Sequence, residues 1–291
     1  MAPARMERVQ WSVVRSGYLL GLLCLAGCGR LGFGSADGGV ADLSADGLEA
    51  GDGTGDLDAT RADATAGPGY VVTTGSMTYG SLPGAATVPG FVVGADDENY
   101  AMTLPFPFTF YGTSYTSISI SVNGFVTFGA PPTGVAAYLN ACPLDATSPA
   151  VTIAVFWDDL FSNTAIAPSG SVDYAQDVSG ADRWFAVEWR DLDAYFRAGA
   201  GNNHFQQNLR VTQRLVLHES GVIEMKYGPR TAPTLDRDCG LDRHRGCSAT
   251  IGLRAATTPP SKTVQCGNDV NALSPGFTPI APDRWFMFTP S

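Results

Sequence analysis

The chain has 291 residues, with 28 Asp and Glu against 18 Lys and Arg, for a net charge of −10. So acidic a chain, poor in lysine, excludes nucleic-acid binding and docking on anionic lipid through basic patches as leading readings. It is long enough for one domain with a sizeable core after its N-terminal segments are set aside.

Those segments come first. Arg5, Arg8 and Arg15 form a basic n-region, and the apolar run from Gly17 to Gly27 falls short of the about 20 residues needed to span a bilayer. Residues 1–27 therefore read as a signal peptide. Leu25-Ala26-Gly27-Cys28 resembles the lipobox of bacterial lipoproteins, which implies that Cys28 receives a lipid and becomes the first residue of the mature chain. The alternative is an ordinary secretory signal in which Cys24 and Cys28 are small apolar residues. Gly29 follows the cysteine where an aspartate would signal inner-membrane retention, so the expected location is the outer membrane, facing the periplasm or the exterior. Residues 28–68 read as a flexible tether. From 29 to 68 there are eight Asp or Glu against Arg30 and Arg61, a charge of 2 − 8 = −6, with almost no aromatic or β-branched residues after Phe33. Such a stretch buries too little surface to offset its ordering entropy.

Residues 69–291 read as strands almost throughout. In "SISISVNGFVTFG", Ile118, Ile120 and Val122 alternate with serines, and Asn123-Gly124 predicts a two-residue type I′ turn. In "FQQNLRVTQRLVLHESGVIEMKYG", Phe205, Leu209, Val211, Leu215 and Leu217 share one face. Ser220-Gly221 turns the chain into Ile223, Met225 and Tyr227. The opposite flank, Gln206, Asn208, Arg210, Thr212 and Arg214, is polar and predicts a sheet with one wet face. Further strands are predicted around 70–75, 100–110, 151–157, 171–175, 183–190, 248–254 and 284–288. No helix-period segment of useful length follows residue 28. The fold class is all-β, an antiparallel β-sandwich, with Phe125, Phe128, Phe156, Trp157 and Trp189 as its expected aromatic core.

Four cysteines remain beyond Cys28, an even set that suits an oxidising compartment. Of three connectivities, the preferred one joins Cys239 to Cys247, closing "CGLDRHRGC", and Cys142 to Cys266, clipping an early loop to a late one. A zinc site is disfavoured, since no C-x-x-C spacing exists and the histidines are scattered.

The run "LPFPFTFYGTSYTSISISVNGFVTFG", then "TIAVFWDDLF", "RWFAVEWRDL", "NLRVTQRLVLHESGVIEMKYG" and "SATIGLR" resembles, in that order, the nidogen-like (NIDO-type) extracellular β-domain, here in the setting of a bacterial lipoprotein. The resemblance covers roughly residues 78–288. It implies an extracellular structural or interaction role and supplies no catalytic residues. The cysteine loops at 142 and 239–247 depart from the simplest bacterial version.

Several side chains invite chemistry. Asp158 and Asp159 end an apolar strand and admit three readings: a turn cap, which is preferred; a Ca²⁺ site with Asp96, Asp97 and Glu98; or an acid/base pair. Glu188, on the strand face of Trp184 and Ala186, reads as the partner of Arg190 or Arg214 rather than as a catalytic acid. His204, His218 and His244 lie far apart, with no G-x-S-x-G elbow to suggest a nucleophile. Arg237, Arg243, His244 and Arg245 concentrate positive charge in one loop and are a candidate binding surface for an anionic polymer. Asp236, Asp238 and Asp242 balance that loop, and a solvated role is preferred. The expected function is a non-enzymatic, lipid-anchored binding or adhesion module with a surface protein or glycan as partner and no cofactor. The alternatives are a carbohydrate-active hydrolase using Asp158 or Glu188, and a Ca²⁺-stabilised carbohydrate-binding module, on the same sandwich.

Overall fold

The computed structural model describes residues 69–142, 144, 148–195, 197–198, 202–203, 209–231, 247–256, 261–266 and 280–291. With strands numbered in chain order, the first sheet runs β1 (Tyr70–Ser76), β16 (Arg284–Pro290), β13 (Ile223–Thr231), β12 (Arg210–His218), β9 (Trp184–Ala194), β8 (Ser171–Asp177) and β2 (Ala86–Thr87), with β7 (Leu160–Phe161) also paired to β9. The second runs β15 (Ser261–Cys266), β14 (Thr250–Arg254), β6 (Thr152–Trp157), β5 (Phe125–Thr127), β4 (Thr113–Ser121) and β3 (Asn99–Phe110). A short ribbon pairs β10 (Arg197–Ala198) with β11 (Asn202–Asn203), and a single helical turn, α1 (Val135–Tyr138), follows β5. Every pairing is antiparallel. The two sheets form the expected β-sandwich, and each long strand falls within a few residues of its predicted place. The strands that sequence reasoning missed, β2, β7, β10, β11 and β15, are short or lie in polar stretches without a clear period.

The core fills the space between the sheets. Phe185, Val187 and Trp189 of β9, Leu215 and Leu217 of β12, and Ile223, Met225 and Tyr227 of β13 meet Ile118 and Ile120 of β4 and Ile153 and Val155 of β6. Phe108 stacks on Phe128 at 5.6 Å between ring centroids. Two polar ends anchor inside this core: Trp189 Nε1 donates to Ser121 O at 2.7 Å, and Tyr227 Oη donates to Val155 O at 2.7 Å. Both large rings are thus buried without an orphaned donor.

The expected aromatic face is corrected. Phe128, Phe156 and Trp189 belong to the inter-sheet core, whereas Phe125 and Trp157 pack with Leu144 and Ala154 on the outer side of the second sheet. Phe125 faces out by simple alternation with the inward Val126, and for Trp157 the cause is a bulge in β6. The pairing with β14 passes from Thr250↔Trp157 to Gly252↔Ala154, and Gly124 O accepts from both Val155 N and Phe156 N at 3.1 and 3.0 Å. One extra residue inverts the faces that follow it, so Phe156 turns inward and Trp157 outward. The loop that covers Trp157 is held by the Cys142–Cys266 disulfide, which spans 124 residues with a Cα separation of 5.2 Å. Asn140 Nδ2 donates to Thr250 Oγ1 at 2.8 Å and Leu144 N to Thr263 Oγ1 at 3.1 Å, stitching the same loop to β14 and β15.

The wet face is corrected too. Arg210, Thr212 and Arg214 are all buried, and over Arg214 the cover is residues 77–85, which cross the outer side of the first sheet as a strap. Leu82 packs there on Ala175, Ala186 and Val216, beside Trp184. Charges under the strap are paired: Arg214 Nη2 reaches Glu188 Oε1 at 2.6 Å, with both side chains less than a tenth exposed. Of the two arginines proposed for Glu188, Arg214 is the partner, while Arg190 meets Asp173 at 2.5 Å. Tyr79 completes the group, donating its hydroxyl to Glu188 Oε1 at 2.6 Å and holding its ring 4.7 Å from the Arg214 guanidinium. A hydrogen bond to a buried carboxylate contributes more than a neutral one, so Tyr79→Phe is expected to cost about 2 kcal/mol. Equilibrium denaturation measures it, and a loss below about 0.5 kcal/mol would mean that the strap is held by its apolar contacts alone.

Candidate functional site

At one end of the sandwich the turns from both sheets converge on Asn123. The turn is not the predicted two-residue type I′: Ser121 pairs with Phe125, leaving Val122, Asn123 and Gly124 as a three-residue loop, and only Gly124 takes a positive φ, of 77°. A side chain at Gly124 would collide with Phe156 O. Asn123, fully buried, is free of the turn's usual duty and uses its amide elsewhere. Its Nδ2 donates to Asp97 Oδ1 at 2.9 Å and to Ala137 O at 3.0 Å, and its Oδ1 accepts from Leu160 N at 2.7 Å. One side chain therefore ties together the 92–98 loop, α1 and the turn after β6. Sequence reasoning took the Asn-Gly pair for turn chemistry and missed this role; a polar residue closing a strand of alternating isoleucines was the available signal.

Asp158 and Asp159 part company at that turn. Asp158 is 2 % exposed; its Oδ1 accepts from Asp159 N at 2.9 Å and its Oδ2 accepts from the Ser248 hydroxyl. It is the turn cap. Asp159 faces the 92–98 loop, where its carboxylate lies with those of Asp96 and Asp97, the oxygens within 4.8 Å of one another. Of the four aspartates expected around a cation, three converge and Asp158 is turned away. The loop is pinned from below by Ala95, whose carbonyl accepts from Ser162 N at 2.7 Å. Asp96 is pushed up to about 6, first by partial desolvation and then by the charges of Asp97 and Glu98. Three acidic side chains with hard oxygen atoms suit a Ca²⁺ ion in chemistry, though the protein would supply few of the usual six to eight ligands from them. The 92–98 loop exposes Val92 and Val93 to 62 and 57 %, and the segment after α1 exposes Leu139 to 53 %, so the rim is acidic and apolar at once.

The other candidates lie elsewhere. Glu188 sits under the strap on the outer face of the first sheet, so it shares no cleft with Asp158. Cys247 is disulfide-bonded, and its expected partner Cys239 lies outside the described residues, as do Cys28, Arg237, Arg243, His244, Arg245 and His204.

His218 closes β12 beside its turn, with Nδ1 3.0 Å from Asp182 Oδ1 and Nε2 3.4 Å from Glu224 Oε1. The Glu224 carboxylate facing Nε2 raises the imidazole above its ordinary value, and the same contact, with Lys226 beside it, holds Glu224 at about 2. A raised histidine contributes stability that is complete below its unfolded value, about 6.5, and is lost as pH rises through the folded one. The lowered carboxylate acts at the other end, its contribution being lost as pH falls from about 4.5 towards 2. His218→Gln is therefore expected to flatten the decline in melting temperature above about pH 6.5. An unchanged decline would place its origin in another group.

The match to known proteins takes in both sheets except the last strand: the family described as NIDO related matches residues 69–281. The chain belongs to the NIDO-related family. The NIDO-related region begins one residue before β1 and takes in every strand up to β15, ending just short of β16. It starts earlier than the resemblance read from the sequence, because β1 lacks the aromatic motifs that carried that reading. Membership suggests an extracellular binding-type module. No curated protein and no solved structure matches the chain.

Proposed function

We propose that the protein is a lipid-anchored module of the cell envelope whose NIDO-related sandwich binds a protein or glycan without catalysis. The observation that carries this reading is the family match across both sheets. The rim around Asn123 supports it, since fixed turns there present carboxylates beside exposed Val92, Val93 and Leu139, the mixed surface that partner recognition uses. Cys28, in the lipobox-like "LAGC", supplies the anchor to an outer membrane.

The test has two arms. Capture of surface proteins and glycans on the full chain is expected to yield a ligand whose binding falls when Val93→Asp or Leu139→Asp is introduced at the rim; turnover of a glycan by the same chain would replace the reading with the hydrolase. Cys28→Ser is expected to abolish labelling with a radioactive fatty acid, because serine offers no thiol to the lipid. Labelling that continues would sink the anchor.

The meeting of Asp96, Asp97 and Asp159 favours a second reading, a Ca²⁺-stabilised carbohydrate-binding module. It requires that added Ca²⁺ raise the melting temperature by several degrees and that Asp159→Asn remove the effect, since a ligand of the native state stabilises by mass action. Equal melting in Ca²⁺ and in chelator would leave the carboxylates as a surface feature.

A further inference from the structure

Four long sheet edges end in the described residues, and three of them are blunted. β3 carries Pro105 and Pro107, β15 carries Lys262 and the Cys142–Cys266 bond, and β8 is partly capped by β2 and bears Asp173 and Asp177. β1 differs. Its sequence, YVVTTGS, has no proline and no charge, and its pairing with β16 runs without a bulge from Tyr70↔Pro290 to Ser76↔Arg284. Natural sheets protect their edges with just the devices that β1 lacks, and an unprotected edge is a template for another strand.

The register shows which groups that edge offers. Ser291 N donates to Gly69 O and Met77 N to Asp283 O, so the odd-numbered residues of β1 exchange bonds with β16 in the antiparallel alternation. The N–H and C=O groups of Tyr70, Val72, Thr74 and Ser76 therefore point away from the sheet. Thr73, Thr74 and Ser76 are exposed, as are the apolar Val71 and Met77, at 48 and 39 %.

We propose that β1 pairs with β1 of a second copy, antiparallel about a two-fold axis at Thr73, joining the first sheets of two molecules into one. In that register Val72 faces Thr74 of the second copy and Tyr70 faces Ser76, each pair exchanging both backbone bonds. Thr73 faces its own counterpart. Val71 falls opposite Gly75, where a side chain is missing and the Trp285 indole lies so close that a Cβ on Gly75 would strike it at 2.8 Å. An exposed valine thus meets a glycine roofed by an aromatic ring, and does so twice by symmetry. This self-complementarity, with no charge on either strand, selects a second copy over an unrelated peptide.

The test uses the full chain in mild detergent. With Thr73→Cys, the central non-hydrogen-bonded pair would bring two Cα atoms to about 4.5 Å, within disulfide range. A mild oxidant is expected to give a dimer on a non-reducing gel that the wild-type sequence does not give. Adding Thr74→Pro removes an N–H that faces the free edge and, towards β16, only the exposed hydroxyl bond to Trp285 O at 2.8 Å, leaving the backbone ladder whole, so the fold is retained while the cross-link is lost. Sedimentation of the chain without the new cysteine is expected to show a dimer that Thr74→Pro weakens about tenfold or more, equivalent to ~1.4 kcal/mol. Thr74→Lys, which keeps the backbone N–H, provides the same comparison if the proline variant fails to fold. A chain that stays monomeric, or a cross-link indifferent to both substitutions, overturns the proposal.

Discussion

Replacing both Cys142 and Cys266 by alanine is expected to lower the stability of the domain by about 5 kcal/mol on the chain-entropy account, because the bond closes a loop of 124 residues. Using the double variant avoids a lone thiol. The bond does more than shorten the unfolded chain: it clips the segment after α1 to the edge strand β15 and so keeps Leu144 over Trp157. Reversible denaturant unfolding would measure the loss. If it came to less than about 1 kcal/mol, Asn140, Leu144 N and Thr250 would be holding that segment through hydrogen bonds alone, which is the size such bonds can contribute.

The sandwich was legible because its strands obey simple local rules. Ile118 and Ile120 alternate with serines, and Phe185, Val187 and Trp189 alternate along β9, so period two marked the strands and their inner faces. Three features escaped for reasons that period two cannot carry. The bulge in β6 is set by Gly124 O reaching two successive N–H groups, a contact between strands distant in sequence. The dry outer face around Arg214 depends on the strap at 77–85, whose sequence around Tyr79 and Gly80 reads as a loop until Arg214 and Glu188 are found beneath it. At the rim, the nearness of Asp96 and Asp97 to Asp159 followed from placing acidic turns at the end of a sandwich, but adjacent residues at a turn point to different sides. Only Asp159 joined them, and Asp158 went to Ser248.

Trp157→Ala is expected to cost about 3–5 kcal/mol, as other large-to-small aromatic truncations in cores do, and to lower the melting temperature by roughly 10 °C in a domain of this size. The ring is 1 % exposed and lies 4.9 Å from Phe125, roofed by Leu144. Its environment gives the prediction a sharper form. Trp189, between the sheets, is enclosed by strands on both sides, so its truncation should cost the same with or without the disulfide. Trp157 has a strand on one side and a clipped loop on the other. Once Cys142 and Cys266 are replaced, that loop is freer to collapse into the space an alanine leaves, and the cavity contribution shrinks. The triple variant is therefore expected to be more stable than the sum of the separate losses by about 1 kcal/mol or more, the range seen for residues that share a cavity. Strict additivity would mean that the roof over Trp157 is rigid without its clip, and that the bulge in β6, rather than the disulfide, keeps the indole buried.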